Sequence, residues 1–295
     1  MELFTENYER RFKVDEFFFA GRSKYQMVHC FSNKFLGKVL FLDNKIQSAQ
    51  IDEFVYHESL VHPGLLTHPC PRRVLVVGGG EGATIREVLR HECVERVTMV
   101  DIDQKLVEIC RMHLPEWSDG AFSDRRTNLV FADARKYIEK SKKKVDVIIS
   151  DLTEPIDKGP SVYLFTKEFY RRIFDKLDDD GIFIQQAGSV DPCYYKFFVS
   201  CRKTLKSVFP IVRPLWTYVF SFGLPWGFVL ASKKHDPATM NQDVLARRLG
   251  ERKVEGLKFY GSRLHPTFFA LPLYIEKNLK RGRVLTDDKP YIYEL

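Results

Sequence analysis

The spacing of apolar and polar positions changes character along this chain. Over roughly the first 65 residues, apolar runs are short and cut by turn residues: 25–31, then 38–42 behind Gly37, then 46–51 behind Asp43-Asn44. Runs of that kind predict a small antiparallel β unit. Over 53–66 the period becomes helical, with Phe54, Leu60, Val61 and Leu65 in register, and Pro69-Cys70-Pro71 closes the stretch. The expected division is a β unit with its connecting helix at 1–66 and a second domain at 67–295.

From Arg73 the pattern alternates. Strands are expected at 74–77, 96–101, 129–131, 145–150 and 182–186, separated by helices at 83–90, 104–113, 134–140 and 167–177. Such alternation builds an α/β, doubly wound, mostly parallel sheet whose ligands sit beyond the carboxyl ends of its strands. A helix at 194–208 and a strand pair at 212–218 and 227–232 bring the expected sheet to seven strands. Beyond them pattern alone gives only a helical stretch and an irregular tail.

Composition removes several function classes. The formal charge is +7, but the basic residues are dispersed, and the one short run, Lys140 to Lys144, precedes a strand and reads as a solvated helix end, not a nucleic-acid patch. The six cysteines form no CxxC pair, so neither a zinc site nor a thioredoxin motif is indicated, and no metal is expected. No apolar run reaches the ~18 residues of a membrane span, and the opening residues are too charged for a secretory signal. A cytoplasmic protein is expected.

The chemistry lies at the strand ends. Gly78-x-Gly80-x-x-Ala83 fits a loose nucleotide fingerprint, and Asp101 lies about 20 residues on, where an acid takes a ribose hydroxyl. That pattern suits nicotinamide dinucleotides and S-adenosylmethionine equally. Glu81 separates them, because a carboxylate inside the turn repels a pyrophosphate and also the carboxylate of ordinary S-adenosylmethionine. A ligand with an ammonium and no carboxylate suits it; the structural alternative is a charge that favours a helix N-terminus. Asp133 could accept from an adenine amino group or cap a helix, Asp103 is assigned to capping, and Asp151 follows the fourth strand. Glu81, Asp101, Asp133 and Asp151 thus end four successive strands and describe a site for cationic groups.

These residues resemble a known family. Tyr25-Gln26, Asp52-Glu53-Phe54-Val55-Tyr56-His57-Glu58, Gly78-Gly79-Gly80-Glu81-Gly82, Val100-Asp101-Ile102-Asp103, Asp133-Ala134-Arg135, Asp151-Leu152-Thr153-Glu154-Pro155 and Phe269-Ala270-Leu271-Pro272 are similar, in order and over nearly the whole chain, to the spermidine synthases, the polyamine aminopropyltransferases. His57, the Glu-Gly-Ala loop, Gln186-Ala187-Gly188 and Trp226-Gly227-Phe228 resemble the branch that holds thermospermine synthases and triamine or agmatine aminopropyltransferases. The resemblance implies a Rossmann-like, methyltransferase-type sheet. It also implies transfer of an aminopropyl group from decarboxylated S-adenosylmethionine, a co-substrate and no prosthetic group, to an amine, with release of methylthioadenosine.

By the same resemblance, Gln26, Asp101, Asp133, Ala134 and Pro160 would hold the thioadenosine. Glu81 and Asp151 would hold the aminopropyl ammonium, with Asp151 also directing the attacking amine. Tyr56 and His57 would line the polyamine groove, their structural alternatives being an ordinary core tyrosine and a satisfied helix histidine. The loop 152–162 is a candidate lid, and a homodimer or homotetramer is implied. Glu154 stands where many relatives have a second Asp. The segment 216–226 offers Tyr218, Phe220, Phe222 and Trp226, so a roomier, more aromatic acceptor pocket is expected, suited to a longer polyamine or agmatine. Two other readings remain: a small-molecule methyltransferase on the same sheet, and a non-catalytic polyamine or nucleoside binder.

Overall fold

Four short strands form the N-terminal unit's main sheet: β3 (Glu16–Arg22), β4 (Met27–Asn33), β5 (Gly37–Leu42) and β6 (Lys45–Ala49), all antiparallel, preceded by the hairpin of β1 (Glu2–Thr5) and β2 (Tyr8–Arg10). The structure, a computed structural model, describes residues 2–5, 8–157 and 159–293. β4, β5 and β6 fall where the pattern put strands. β3 does not, because Phe17-Phe18-Phe19 is a continuous aromatic run without the alternation that marks a half-buried strand.

After α1 (Glu53–Thr67) come β7 (Arg73–Gly78), α2 (Ala83–Leu89), β8 (Arg96–Asp101), α3 (Gln104–His113), α4 (Pro115–Ser118), β9 (Thr127–Phe131), α5 (Ala134–Lys140) and β10 (Val145–Asp151). α6 (Lys167–Lys176), β11 (Leu177–Ser189), α7 (Lys196–Lys206), β12 (Ile211–Val219) and β13 (Leu224–Ser232) complete the sheet, and α8 (Gln242–Glu251) and α9 (Leu273–Asn278) lie in the C-terminal segment. The seven strands run in the order β12-β13-β11-β10-β7-β8-β9. The five from β11 to β9 are parallel, β13 runs antiparallel to β11, and β12 runs antiparallel to β13, so the expected doubly wound, mostly parallel sheet is the observed one.

The two-residue period of the central strands decides the layers. Val74, Val76, Val147 and Ile149 pack to one side with Leu60 and Leu65 of α1. Leu75, Val77 and Ile148 pack to the other with Phe169 and Ile173 of α6. A third cluster joins the N-terminal sheet to the large one: Val28, Cys30, Leu40 and Leu42 meet Leu106, Ile109 and Trp117. The small sheet thereby stands beside the carboxyl ends of the parallel strands. Among the described residues no helix is long and apolar enough to cross a membrane.

A buried carboxylate helps tie the C-terminal segment to α1, alongside Arg248 and Arg252, which donate to the Thr67 and Leu65 carbonyls of its last turn. Glu58, 1% exposed, accepts from the backbone N–H groups of Lys258, Phe259 and Tyr260 at 2.9, 2.9 and 2.6 Å. Glu58→Ala leaves three donors without their acceptor, so we expect a loss of about 3 kcal/mol or more in urea unfolding, with Glu58→Gln losing less because it retains an acceptor oxygen.

Candidate active site

The parallel register brings the acids together. Asp151, the last residue of β10, lies opposite Gly78, the last of β7, and Asp101 ends β8 on the other side of β7. Between β7 and β10 the Gly79 N–H donates to the Asp151 carbonyl at 3.0 Å. Gly78 has φ +80°, and a Cβ there would lie 2.1 Å from that carbonyl oxygen, so only glycine lets the two strand ends approach this closely.

Asp151 receives two neutral donors. The Tyr56 hydroxyl, from α1, donates to Oδ1 at 2.7 Å, and the Thr84 hydroxyl, from the first turn of α2, donates to Oδ2. Burial, and then Asp151 itself, hold the Tyr56 phenol well above its usual range, so it stays a donor. Among the described residues no lysine or arginine pairs with Asp151.

Glu81 is handled differently. Its Oε1 lies 2.6 Å from Nε2 of His57, an ion-pair contact whose angle falls outside good hydrogen-bond geometry. His57 Nδ1 faces two acceptors, the Glu53 carbonyl at 2.7 Å and Glu53 Oε2 at 2.9 Å, and therefore carries a proton. Burial pushes the Glu81 carboxyl up, whereas Glu81 and Glu53 overcome burial and push the His57 imidazole well above its usual value. His57 is 1% exposed and touches Glu81 without lining the cleft, whereas Tyr56 does line it.

The cleft over these strand ends is lined by Gln26, Tyr56, Glu81, Asp101, Asp133, Ala134, Asp151, Glu154 and Pro160. Asp101 is buried, and burial pushes its carboxyl up to about 6. Asp133 caps α5, its Oδ1 accepting from the Lys136 N–H at 3.0 Å, and the residue also lines the cleft. Glu154 follows β10 in the loop, and burial raises its carboxyl too. Lys158, within the expected lid, lies outside the described residues. Of the aromatic segment, Phe222 and Trp226 line the cleft, with rings 4.8 Å apart, whereas Tyr218 and Phe220 are about half exposed and do not. Tyr218 lies on β12 and Phe220 in the turn that follows it.

A sequence model described as the spermine/spermidine synthase domain matches residues 53–243, and one described as the spermidine synthase tetramerisation domain matches residues 2–50. The chain belongs to the spermine/spermidine synthase family. It is 46% identical over 281 residues to polyamine aminopropyltransferase 2 of Hyperthermus butylicus, covering 94% of this chain and 91% of that protein. It is 42% identical to the polyamine aminopropyltransferase of Sulfolobus acidocaldarius, over 91% and 89% of the two. A crystal structure of spermidine synthase in complex with the transition state analogue AdoDATO superposes with a TM-score of 0.84 at 34% identity, covering 92% of this chain and 90% of that one. Spermidine synthase from Thermotoga maritima gives 0.83 at the same identity, over 92% and 89%.

For this family member, several supporting residues escaped the sequence reading. Asp103 caps α3, as expected, but its Oδ2 also accepts from the Ser23 hydroxyl at 2.5 Å and from Gln26 Nε2 at 3.0 Å, fixing Gln26 at the cleft. Its backbone N–H donates to Asp101 Oδ1 at 2.8 Å. Thr84 carried no signal beyond a hydroxyl on the first turn of a helix. The steric role of Gly78 is separable from its positive φ: Gly120 has φ +78°, yet a Cβ added there would meet no atom within 4 Å. Gly120→Ala should cost only about 1 kcal/mol of backbone strain, whereas Gly78→Ala should lower the Tm by clearly more in thermal unfolding of the two variants side by side.

Proposed function

We propose that the chain transfers the aminopropyl group of decarboxylated S-adenosylmethionine to an amine acceptor and releases methylthioadenosine. The observation that carries this reading is the pair of carboxylates, Asp151 and Glu81, at the head of a nucleoside-sized cleft with no lysine or arginine on either among the described residues. A sulfonium ligand with an ammonium and no carboxylate complements that field. A methyltransferase would have to seat the carboxylate of S-adenosylmethionine there, which the same field repels.

In this reading Gln26, Asp101, Asp133, Ala134 and Pro160 hold the thioadenosine, with Asp101 accepting from the ribose hydroxyls. Glu81 and Asp151 hold the aminopropyl ammonium, and Tyr56 steadies Asp151 at the acceptor side. An acceptor nitrogen attacks the carbon beside the sulfonium, the new N–C bond forms as the C–S bond breaks, and sulfur keeps the electron pair as a thioether. The nitrogen must be neutral to attack, although free alkylamines have a reference pKa of ~10. Asp151, with its oxygens already oriented by Tyr56 and Thr84, accepts the proton the amine gives up. Positioning supplies much of the remaining rate.

For the acceptor, Phe222, Trp226 and Glu154 favour a longer polyamine or agmatine through cation–π and carboxylate contacts, over putrescine. The match of residues 2–50 to a tetramerisation domain supports a homo-oligomer, a dimer or tetramer; on this reading the enzyme works in the cytoplasm.

Incubation of the purified protein with decarboxylated S-adenosylmethionine and a panel of putrescine, agmatine, spermidine and longer amines should form methylthioadenosine, measured by liquid chromatography. Asp151→Asn should lower that turnover by about 100-fold or more while retaining methylthioadenosine binding; full activity would refute the role given to Asp151, and a highest kcat/KM for putrescine would refute the acceptor assignment. The Asp101 carboxyl gives a pH signature. Ribose hydroxyls favour its ionised form, so binding draws its pKa down, and below about 6 each binding event must first release a proton. Methylthioadenosine affinity should therefore hold above pH 6 and weaken below it, approaching about tenfold per pH unit, in calorimetric titrations, and Asp101→Asn should flatten that dependence.

A further inference from the structure

Behind Glu81 runs a chain of buried charge that never reaches the cleft. Glu53 Oε2, besides meeting His57, accepts from Arg86 Nη2 at 2.8 Å, and Arg86 Nε reaches Glu87 Oε1 at 2.8 Å. Arg86 Nη1 also donates to the Trp117 carbonyl at 2.8 Å, and Arg90 Nε meets Glu87 Oε2 at 2.8 Å. The side chains of Glu53 and Arg86 are each only 10% exposed, and that of Glu87 1%. The cluster holds three carboxylates, Glu53, Glu81 and Glu87, against two guanidiniums, and the buried His62 imidazole also lies 3.1 Å from Glu87 Oε2. The carboxylate left without a guanidinium is Glu81, and it touches His57.

One proton is carried either by His57 Nε2 or by Glu81 Oε1, 2.6 Å apart, and its location decides what the cleft sees. On Glu81 it makes a neutral acid; on His57 it leaves a carboxylate toward the ligand. Burial favours the neutral pair. Glu53 opposes that, because its carboxylate sits against the protonated Nδ1 side of the ring and stabilises the imidazolium. Its repulsion of Glu81 acts the other way, but through the intervening ring and therefore at longer range. The remaining groups around the pair are Tyr56 on α1, Asp151 on β10, and the buried thiols of Cys30 on β4 and Cys110 on α3.

We infer that Glu53, clamped by Arg86, is a positioning residue for the aminopropyl donor: it keeps the shared proton on His57 and so keeps Glu81 an ionised carboxylate facing the ligand's ammonium. This rests on the assignment of that ammonium to Glu81. The Glu53 backbone carbonyl still holds Nδ1–H when the side chain changes, so a Glu53→Gln variant alters the charge behind the ring and leaves its orientation in place.

The test compares two ligands that differ by the aminopropyl group, decarboxylated S-adenosylmethionine and methylthioadenosine, titrated calorimetrically into the full chain. Glu53→Gln should weaken the first by about tenfold or more and leave the second within about twofold. Because rising pH removes the shared proton, that deficit should shrink as the pH is raised, while the unmodified protein shows no such recovery; Glu53→Asp should restore most of the affinity. Glu81→Gln should show the same ligand selectivity without recovery at high pH. Equal weakening of both ligands by Glu53→Gln, or no weakening beside a selective Glu81→Gln, overturns the role of Glu53. An unselective Glu81→Gln overturns the ammonium assignment itself and the inference with it. If Glu53→Gln does not fold, Arg86→Lys, which keeps the charge but loosens the clamp, should show a smaller deficit of the same selectivity, and an unselective loss there counts against the proposal.

Discussion

At the carboxyl ends of β7 and β10 the chain passes so close to itself that the Asp151 carbonyl occupies the space a side chain at Gly78 would need. The Gly79 N–H donates to that same carbonyl. This contact sets the site's geometry, because it puts the Asp151 carboxylate directly beside the glycine turn that carries Glu81. Two carboxylates brought together out of water repel each other and lose hydration, so the surrounding structure must answer for both.

It answers in two different ways. Asp151 is met by hydroxyls of Tyr56 and Thr84, which orient its oxygens without cancelling its charge. Glu81 is met by an imidazole that is itself backed by Glu53 and Arg86. Neutral donors leave Asp151 free to take a cation or a proton from a ligand. A charged partner lets Glu81 remain ionised although it is almost wholly buried. The formal charge of +7 is then no obstacle to polycationic ligands, since what they meet is the local field of a low-dielectric cleft and not the average over the surface.

The small N-terminal sheet does more than flank this arrangement. Its packing on α3 and Trp117 brings Ser23 and Gln26 onto Asp103, which in turn holds Asp101 through its backbone N–H. The Asp101 end of the cleft is thus built jointly by the two sheets, and the Asp151 end by α1, β10 and the segment that joins β12 to β13.

Periodicity was enough to read the alternating half of this protein, since a parallel strand buried on both faces is a short β-branched run and its helices keep a 3.6-residue stripe. The bounds of α3, α5 and β8 agree with the pattern to the residue. It failed at β3, where three phenylalanines in a row hide the alternation, and at the start of β11, where Asp178-Asp179-Asp180-Gly181, left between the expected helix and strand, extends the strand through an irregular register. The acids at the strand ends were equally legible, because parallel topology sends every strand end to one rim. What the sequence could not show is which groups stand behind them. Whether His57 faces the groove or backs Glu81, whether Asp103 merely caps a helix or also grips Gln26, and which aromatics of the β12–β13 turn point inward depend on contacts between residues far apart in the chain. Residue type and spacing determined where charge would gather; only the packing of α1 and α2 against the strand ends decided how each charge is compensated.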